Sequence, residues 1–322
     1  MRTFLQLRDR IAKQHSIRRV FALQAVTALL ITAPIALAGN RIIVDDLGFK
    51  IQVKDSIHRI VSLVPTNSEM VCLLDCERLK GGTRYDQFPV ELKKRVQANQ
   101  VEIIGGGFDA NLEKIVQLQP DLILTNGPTQ QRFAVPLKNM GYSVVSLWPR
   151  DMDGLKRDFL LLGELLGQEK KAKSVIDDMQ RRFALIQAKA MNKPKKKVYL
   201  QMWTEPLITV GKLSFPDWLV AAAGGINIFG DLPFDSAQVS LESLIRRDPE
   251  VLIFLAEQEP FVKTLTKRPG WSSIRGVRGS HFCFIDEPDI RRSIEFLDGL
   301  AKIQDCVFRN ERVNQPTPTE TK

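Results

Sequence analysis

Histidine is scarce, with three residues in a chain of 322: His15, His58 and His281. A receptor for a bare transition metal takes three or four His, Asp or Glu donors, and two histidines downstream of the leader supply that chemistry poorly. Imidazole-based acid–base catalysis is equally undersupplied. The chain has no Gly-x-Ser-x-Gly elbow, and His58 and His281 stand in no recognisable nucleophile–base pattern. Gly105-Gly106-Gly107 is not followed by Lys-Ser/Thr, so it reads as a turn and not as a phosphate loop. Spread-out positive charge is missing too. Of the net +9, five charges sit in residues 1–38, where Arg2, Arg8, Arg10, Lys13, Arg18 and Arg19 face Asp9 alone. The remaining +4 is too dilute for a nucleic-acid footprint. The expectation is no nucleic-acid partner, no catalytic residues, no cofactor and no metal site. What is present is a composition that folds: 44% hydrophobic and 26% charged, enough for one large domain or two modest ones.

Residues 1–38 read as a signal peptide. A basic stretch ends at Arg18-Arg19, an uncharged apolar run follows from Val20, and Ala36-Leu37-Ala38 precedes Gly39 as a small-residue cleavage pattern. An uncleaved anchor is the alternative, since the uncharged run approaches the ~20 residues that span a bilayer. No cysteine follows the cleavage site, which argues against a lipid anchor, and the mature chain is expected to be exported to the periplasm and soluble. Cys72 and Cys76 fall four apart in an expected helix, where thiols rarely align for a bridge, and read as small buried hydrophobes. A Cys283–Cys306 disulfide is compatible with the sequence but not deducible from it.

Along the mature chain, Arg41–Val44 and Lys50–Lys54 flank Asp45-Asp46-Leu47-Gly48 as a hairpin. Short apolar strands then alternate with helices: 59–64, 79–83, 121–125 and 143–147 are strands, and 69–77 and 130–140 are helices. From 152 to 191 the period changes to 3.6, with Leu155, Phe159, Leu162, Leu165 and Leu166 on one face. This is one long helix, or two with a break near Gly163 or Gly167. A second α/β run follows, with strands at 198–202, 251–255 and 282–285, and helices at 215–223, 261–267 and 293–307. The expected division is residues 1–38 signal peptide, 39–150 N-terminal lobe, 151–194 linking backbone helix, 195–309 C-terminal lobe and 310–322 disordered tail.

The strongest single feature is an internal repeat. Asn111-Leu-Glu-Lys-Ile-Val-Gln-Leu-Gln-Pro-Asp-Leu-Ile-Leu124 aligns without a gap on Ser240-Leu-Glu-Ser-Leu-Ile-Arg-Arg-Asp-Pro-Glu-Val-Leu-Ile253. Each copy starts on an N-cap residue, continues as a two-turn helix ending at Pro120 or Pro249, and enters a buried strand. The copies flank the 152–191 helix, so the fold class is α/β, with two similar lobes joined by a long rigid helix and a ligand cleft between them. Glu113 and Glu242 occupy matched first-turn positions. Each is explained locally by the helix dipole; as a pair they also suit docking on a two-fold symmetric partner.

These features resemble the periplasmic substrate-binding proteins of ABC importers for vitamin B12 and ferric siderophores, the class with two lobes and a helical backbone. The likeness is carried by Arg59-Ile-Val-Ser-Leu-Val-Pro-Thr-Asn-Ser-Glu69, by Asn111-Leu-Glu113 through Ile123, by Gly224-Gly225-Ile-Asn227, by Val239–Glu242 and by Pro269-Gly-Trp271 through Asp286. It spans about Ile57 to Val307. It implies that Glu113 and Glu242 meet arginines of a dimeric membrane permease. It also implies a monomeric binder that captures a small-molecule ligand, corrinoid or else ferric siderophore or heme, in loops at the carboxyl ends of strands. The candidate ligand-binding residues are Pro65, Thr66, Asn67, Arg84, Tyr85, Phe108, Trp148, Trp203, Phe234 and Arg291. Tyr85 falls where the B12 binders place a corrin-clasping tyrosine. Aromatic walls suit a corrinoid, whereas an anionic iron chelate would favour Arg84, Arg132 or Arg291. The sequence departs from the B12 binder in three places. Gly107-Phe108 replaces a tryptophan ahead of Asn111, Asp289-Ile-Arg-Arg-Ser-Ile294 replaces a proline-rich arginine motif, and no cysteine precedes Gly224-Gly225.

Overall fold

The computed structural model describes residues 40–309. The expected signal peptide and the expected C-terminal tail lie outside the described residues. A hairpin opens the described chain, with β1 (Asn40–Val44) and β2 (Lys50–Lys54) antiparallel in full register. The following sheet has five parallel strands in the order β5-β4-β3-β6-β7: β3 is Ile60–Ser62, β4 Leu79–Gly82, β5 Glu102–Ile103, β6 Leu122–Thr125 and β7 Val144–Ser146. The chain builds outward from β3 in one direction, returns, and builds outward from β6 in the other. That order places a topological switch between β3 and β6, where the loops at the carboxyl ends of the strands diverge.

The second sheet has the order β11-β9-β8-β12-β13, with β10 also paired to β8. Its parallel part joins β8 (Lys196–Trp203), β10 (Gly225–Asn227), β12 (Val251–Leu255) and β13 (Phe282–Ile285). Antiparallel strands β9 (Ile208–Val210) and β11 (Ser236–Gln238) extend one edge. The central strands β6 and β12 are buried at every residue, as strands covered on both faces must be.

Two helices, Met152–Leu166 and Glu169–Ala190, connect the sheets. The 152–191 stretch is therefore two helices, the second of the alternatives the sequence left open, in place of one unbroken rigid helix. The break falls at Gly167, whose φ of +63° is the left-handed cap that an L side chain resists; Gly163 stays within the first helix. Leu155, Phe159, Leu162, Leu165, Ala172, Ile176 and Met179 point into one continuous core that also takes in residues from both sheets. Each sheet's other face packs a core of its own, around Leu63, Ile104 and Ile123 in the first lobe and Tyr199, Phe254 and Trp271 in the second. Phe183, on the second connecting helix, stacks on Trp218 at 5.6 Å. Phe215 and Phe296 complete the cluster that holds this helix to the second lobe.

Both cysteine pairs are disulfides. The reading of Cys72 and Cys76 as unpaired hydrophobes is thus overturned. The helix Pro65–Asp75 ends between them: Asp75 turns to φ −157°, ψ 86°, and a tight turn begins at Cys76. The Cα atoms come within 3.6 Å, so helical i,i+4 spacing no longer applies.

Candidate ligand cleft

The loops after β3, β5 and β6 are tied together at the switch point by Gln130, a buried side chain. Its amide donates to the carbonyls of Leu63 (3.0 Å) and Gly107 (2.9 Å), and its carbonyl accepts from the Asn126 N–H (2.8 Å). Pro65 and Thr66 sit half-buried at the start of the Pro65–Asp75 helix. Asn67 turns inward, where its amide donates to the Thr125 carbonyl at 3.1 Å, and so fixes the β3 and β6 exits relative to each other.

Beyond β4 and β5 lies an aromatic platform braced by arginines. Arg84 pairs with Asp109 through two hydrogen bonds, the shorter 2.7 Å, and its guanidinium lies 5.7 Å from the Tyr85 ring. The bonds from Arg84 hold the Asp109 carboxyl below its usual range, and Asp109 in turn raises Arg84. Asp109 also accepts from the Gly106 N–H at 2.8 Å, so the glycine run is the turn the sequence suggests. Arg132 donates to the Phe108 carbonyl and lies 5.9 Å from the Phe108 ring. In the second lobe, Trp203 ends β8 with its indole N–H on the Glu205 carbonyl at 3.0 Å, and Phe234 lies just before β11. Tyr85, Phe108, Trp203 and Phe234 are 52%, 75%, 58% and 58% exposed. Full burial of such a ring is favourable by about 1.5–3 kcal/mol, so four open rings at strand ends leave a large driving force unused.

Trp148 behaves differently. It is 8% exposed, and its ring packs so closely on Gly127 that a Cβ there would lie 2.3 Å from it. Its backbone N–H donates to Asp46 of the β1–β2 turn at 2.6 Å. Arg292 of the second lobe covers the ring at 3.7 Å from its centroid. Arg291 pairs with Glu287.

Three buried carboxyls have raised pKa values, and sequence reasoning assigned none of them to the site; of these, Glu69 lies where the lobes meet. Glu69, buried on the Pro65–Asp75 helix, accepts from the Ile294 N–H at 3.0 Å and from the Ser293 hydroxyl. Burial, reinforced by the nearby Glu295 carboxylate, pushes its pKa up to about 8. Asp86, also raised by burial, accepts from the Thr83 hydroxyl at 2.6 Å. Asp158, on the first connecting helix, is raised well above its usual value by burial and by the Asp46 carboxylate. The legible signal for Glu69 was a carboxylate in the otherwise apolar stretch 69–74; Arg292 stood in the Asp289–Ile294 segment without a role assigned to it, and Gln130 carried no signal.

Away from the cleft residues, the repeat is reproduced. Asn111 caps the helix Leu112–Gln117 by accepting from the Lys114 N–H at 3.0 Å, and Ser240 caps Leu241–Arg247 by accepting from the Ser243 N–H at 3.1 Å. Glu113 and Glu242 are both exposed in the first turn. Backbone and Ser240 hydrogen bonds hold the Glu242 carboxyl below its usual range.

A periplasmic binding protein family model matches residues 60–288. The chain belongs to that family. Its curated relatives include an uncharacterized ABC transporter substrate-binding lipoprotein, YvrC, of Bacillus subtilis, 26% identical over 80% of this chain and 82% of the relative. A vitamin B12-binding protein of Photorhabdus laumondii is 28% identical over 62% of this chain and 72% of that protein. Among solved structures, a protein of Staphylococcus epidermidis described as a possible iron-binding (periplasmic solute-binding) protein aligns with a TM-score of 0.69 and 25% identity, covering 79% of this chain and all of the other. A periplasmic binding protein is an exported transport component that works with a membrane permease, and not an enzyme. Among the described residues, the two groups with metal-binding spacing, His281/Cys283/Cys306 and Cys72/Cys76/Glu91, both have their thiols in disulfides, so neither fits a resident metal.

Proposed function

We propose that this periplasmic binding protein captures a corrinoid, a vitamin B12-like ligand, between its lobes and, as a monomer, delivers it to the permease dimer of an ABC importer. One observation carries the choice of ligand. The aromatic candidates Tyr85, Phe108, Trp203 and Phe234 are open, while two of the three arginines that would attract an anionic chelate, Arg84 and Arg291, already hold carboxylates. A broad ring rimmed by amides gains from aromatic faces and does not ask for free guanidinium groups. The vitamin B12-binding relatives support the same reading. Pro65 and Thr66 form the floor, beside the switch point. Asn67 holds that floor rather than touching ligand, and Trp148 lies beneath the wall.

Glu113 and Glu242 are the docking contacts, one per lobe, each meeting an arginine of one permease subunit. Their exposure and matched placement on capped helices favour this over a purely local role. Ligand release is driven by the importer's ATPase, and the two helices between the lobes keep the lobe movement small. Tryptophan fluorescence titration with cyanocobalamin tests the ligand. Quenching that saturates below about micromolar concentration, near −8 kcal/mol, is the expected outcome; no saturable change up to that range would overturn the corrinoid reading.

A further inference from the structure

Arg292 occupies an unusual position between the lobes. It belongs to the Arg291–Glu295 segment, which joins the turn after β13 to the last helix, Phe296–Phe308. Its side chain reaches back across the boundary. The guanidinium covers the Trp148 ring at 3.7 Å, Nε donates to the Pro149 carbonyl at 3.0 Å, and Nη2 donates to Asp235 Oδ1 at 3.0 Å. The side chain is 16% exposed. One guanidinium thus engages the exit of β7 in the first lobe and the loop before β11 in the second. Each end is separately anchored within its own lobe. The Trp148 N–H is held by Asp46, and the Phe234–Asp235 backbone accepts from the Leu213 N–H (3.2 Å) and the Gly211 N–H (3.1 Å).

We propose that Arg292 is a positioning residue for the cleft: it locks the Trp148 exit to the Phe234–Asp235 loop, so that the walls contributed by the two lobes are set relative to each other before ligand arrives. The planar fork is needed for this role. An ammonium keeps the charge opposite Asp235 but loses the stacking face and one directed hydrogen bond. Pre-set walls cost less ordering on binding, and that difference appears as affinity. The affinity part of the proposal rests on the corrinoid reading, whereas the locking itself does not.

The test is hydrogen exchange followed by mass spectrometry on the whole protein, comparing wild type with Arg292→Ala, Arg292→Lys and Asp235→Asn. Arg292→Ala is expected to speed exchange about tenfold in the 147–151 and 234–238 segments while the sheets and the connecting helices keep wild-type rates. Arg292→Lys is expected to reproduce most of that change. Asp235→Asn, a milder change that keeps an acceptor, should loosen 234–238 and spare 147–151. Cyanocobalamin affinity should fall several-fold in Arg292→Ala. Unchanged exchange in both segments, or a uniform rise across the chain, would overturn the lock. Wild-type protein that fails to bind cyanocobalamin removes the ligand reading, and the exchange pattern still decides the lock.

Discussion

The helix Leu112–Gln117 leads into β6 in the first lobe, and Leu241–Arg247 leads into β12 in the second, each with a side-chain N-cap, Asn111 or Ser240, the same first-turn Leu-Glu pair and the same proline stop. The loops at the strand ends are not alike. In the first lobe the exposed aromatics Tyr85 and Phe108 lie near arginines that are themselves bonded to Asp109 and to the Phe108 carbonyl. In the second, Trp203 is held through its indole N–H, and Phe234 precedes an antiparallel edge strand that the first lobe lacks. Burial constrains the helix–strand unit, which must cover a core, so both lobes solve it in the same way. The loops escape that constraint and are free to differ. The resulting picture is one repeated helix–strand unit carrying two unlike sets of strand-end loops.

The sharpest way to break the comparison is to remove its symmetric part. Glu113→Ala and Glu242→Ala should each lower ligand uptake by roughly tenfold or more, as truncating one partner of a charge pair at an interface does. Ligand affinity should stay within about twofold of wild type. Uptake by cells carrying each variant measures this, and a large effect from one glutamate alone would mean that the lobes do not dock equivalently.

A second prediction concerns where the lobes touch. Glu69 of the first lobe accepts from Ile294 of the second, and its pKa is raised from 4.5 to about 8. The folded protein therefore holds a proton that the unfolded chain has lost between those two values. Stability should fall as pH rises through that window, by a few kcal/mol at most, and level off above about pH 8. Urea denaturation at a series of pH values reads the slope. Glu69→Gln keeps an acceptor for Ile294 and should flatten much of it, with the other carboxyls raised by burial, Asp86, Asp158, Asp217 and Glu295, contributing to what remains. A stability that rises across this window in the wild type would contradict the assignment.

The disulfides offer a smaller contrast. Cys283–Cys306 closes 23 residues and Cys72–Cys76 only four. Loop-closure entropy gives about 3 kcal/mol for the first and about 2 for the second. Replacing both cysteines of a pair by serine should lower Tm more in the second lobe than in the first, by calorimetry of the two double variants; the reverse order would show that the short bridge does more than close a loop.

Much of this was legible before the structure. The hairpin, most of the parallel strands and the Leu112 and Leu241 helices followed from apolar periodicity and capping residues, because those signals are local. The helix Val90–Gln97, the strands β9, β10 and β11 and the split of the 261–267 stretch were missed; they are short, and their apolar residues are too few to set a period. The break at Gly167 could not be told from one at Gly163 because either glycine ends a helix; tertiary packing chose. The Cys72–Cys76 bridge was misjudged for a similar reason: the kink at Asp75 is not written in the local sequence. At the cleft, exposure separated the open rings from Trp148, which the sequence had grouped with them. Gln130 and Arg292 stayed hidden because their contacts join segments far apart in the chain.

The most direct test of the corrinoid proposal is a side-by-side fluorescence titration of cyanocobalamin, hemin and a ferric hydroxamate against the same protein. Tightest binding of cyanocobalamin is the predicted order. Tighter binding of hemin or the ferric hydroxamate would contradict it.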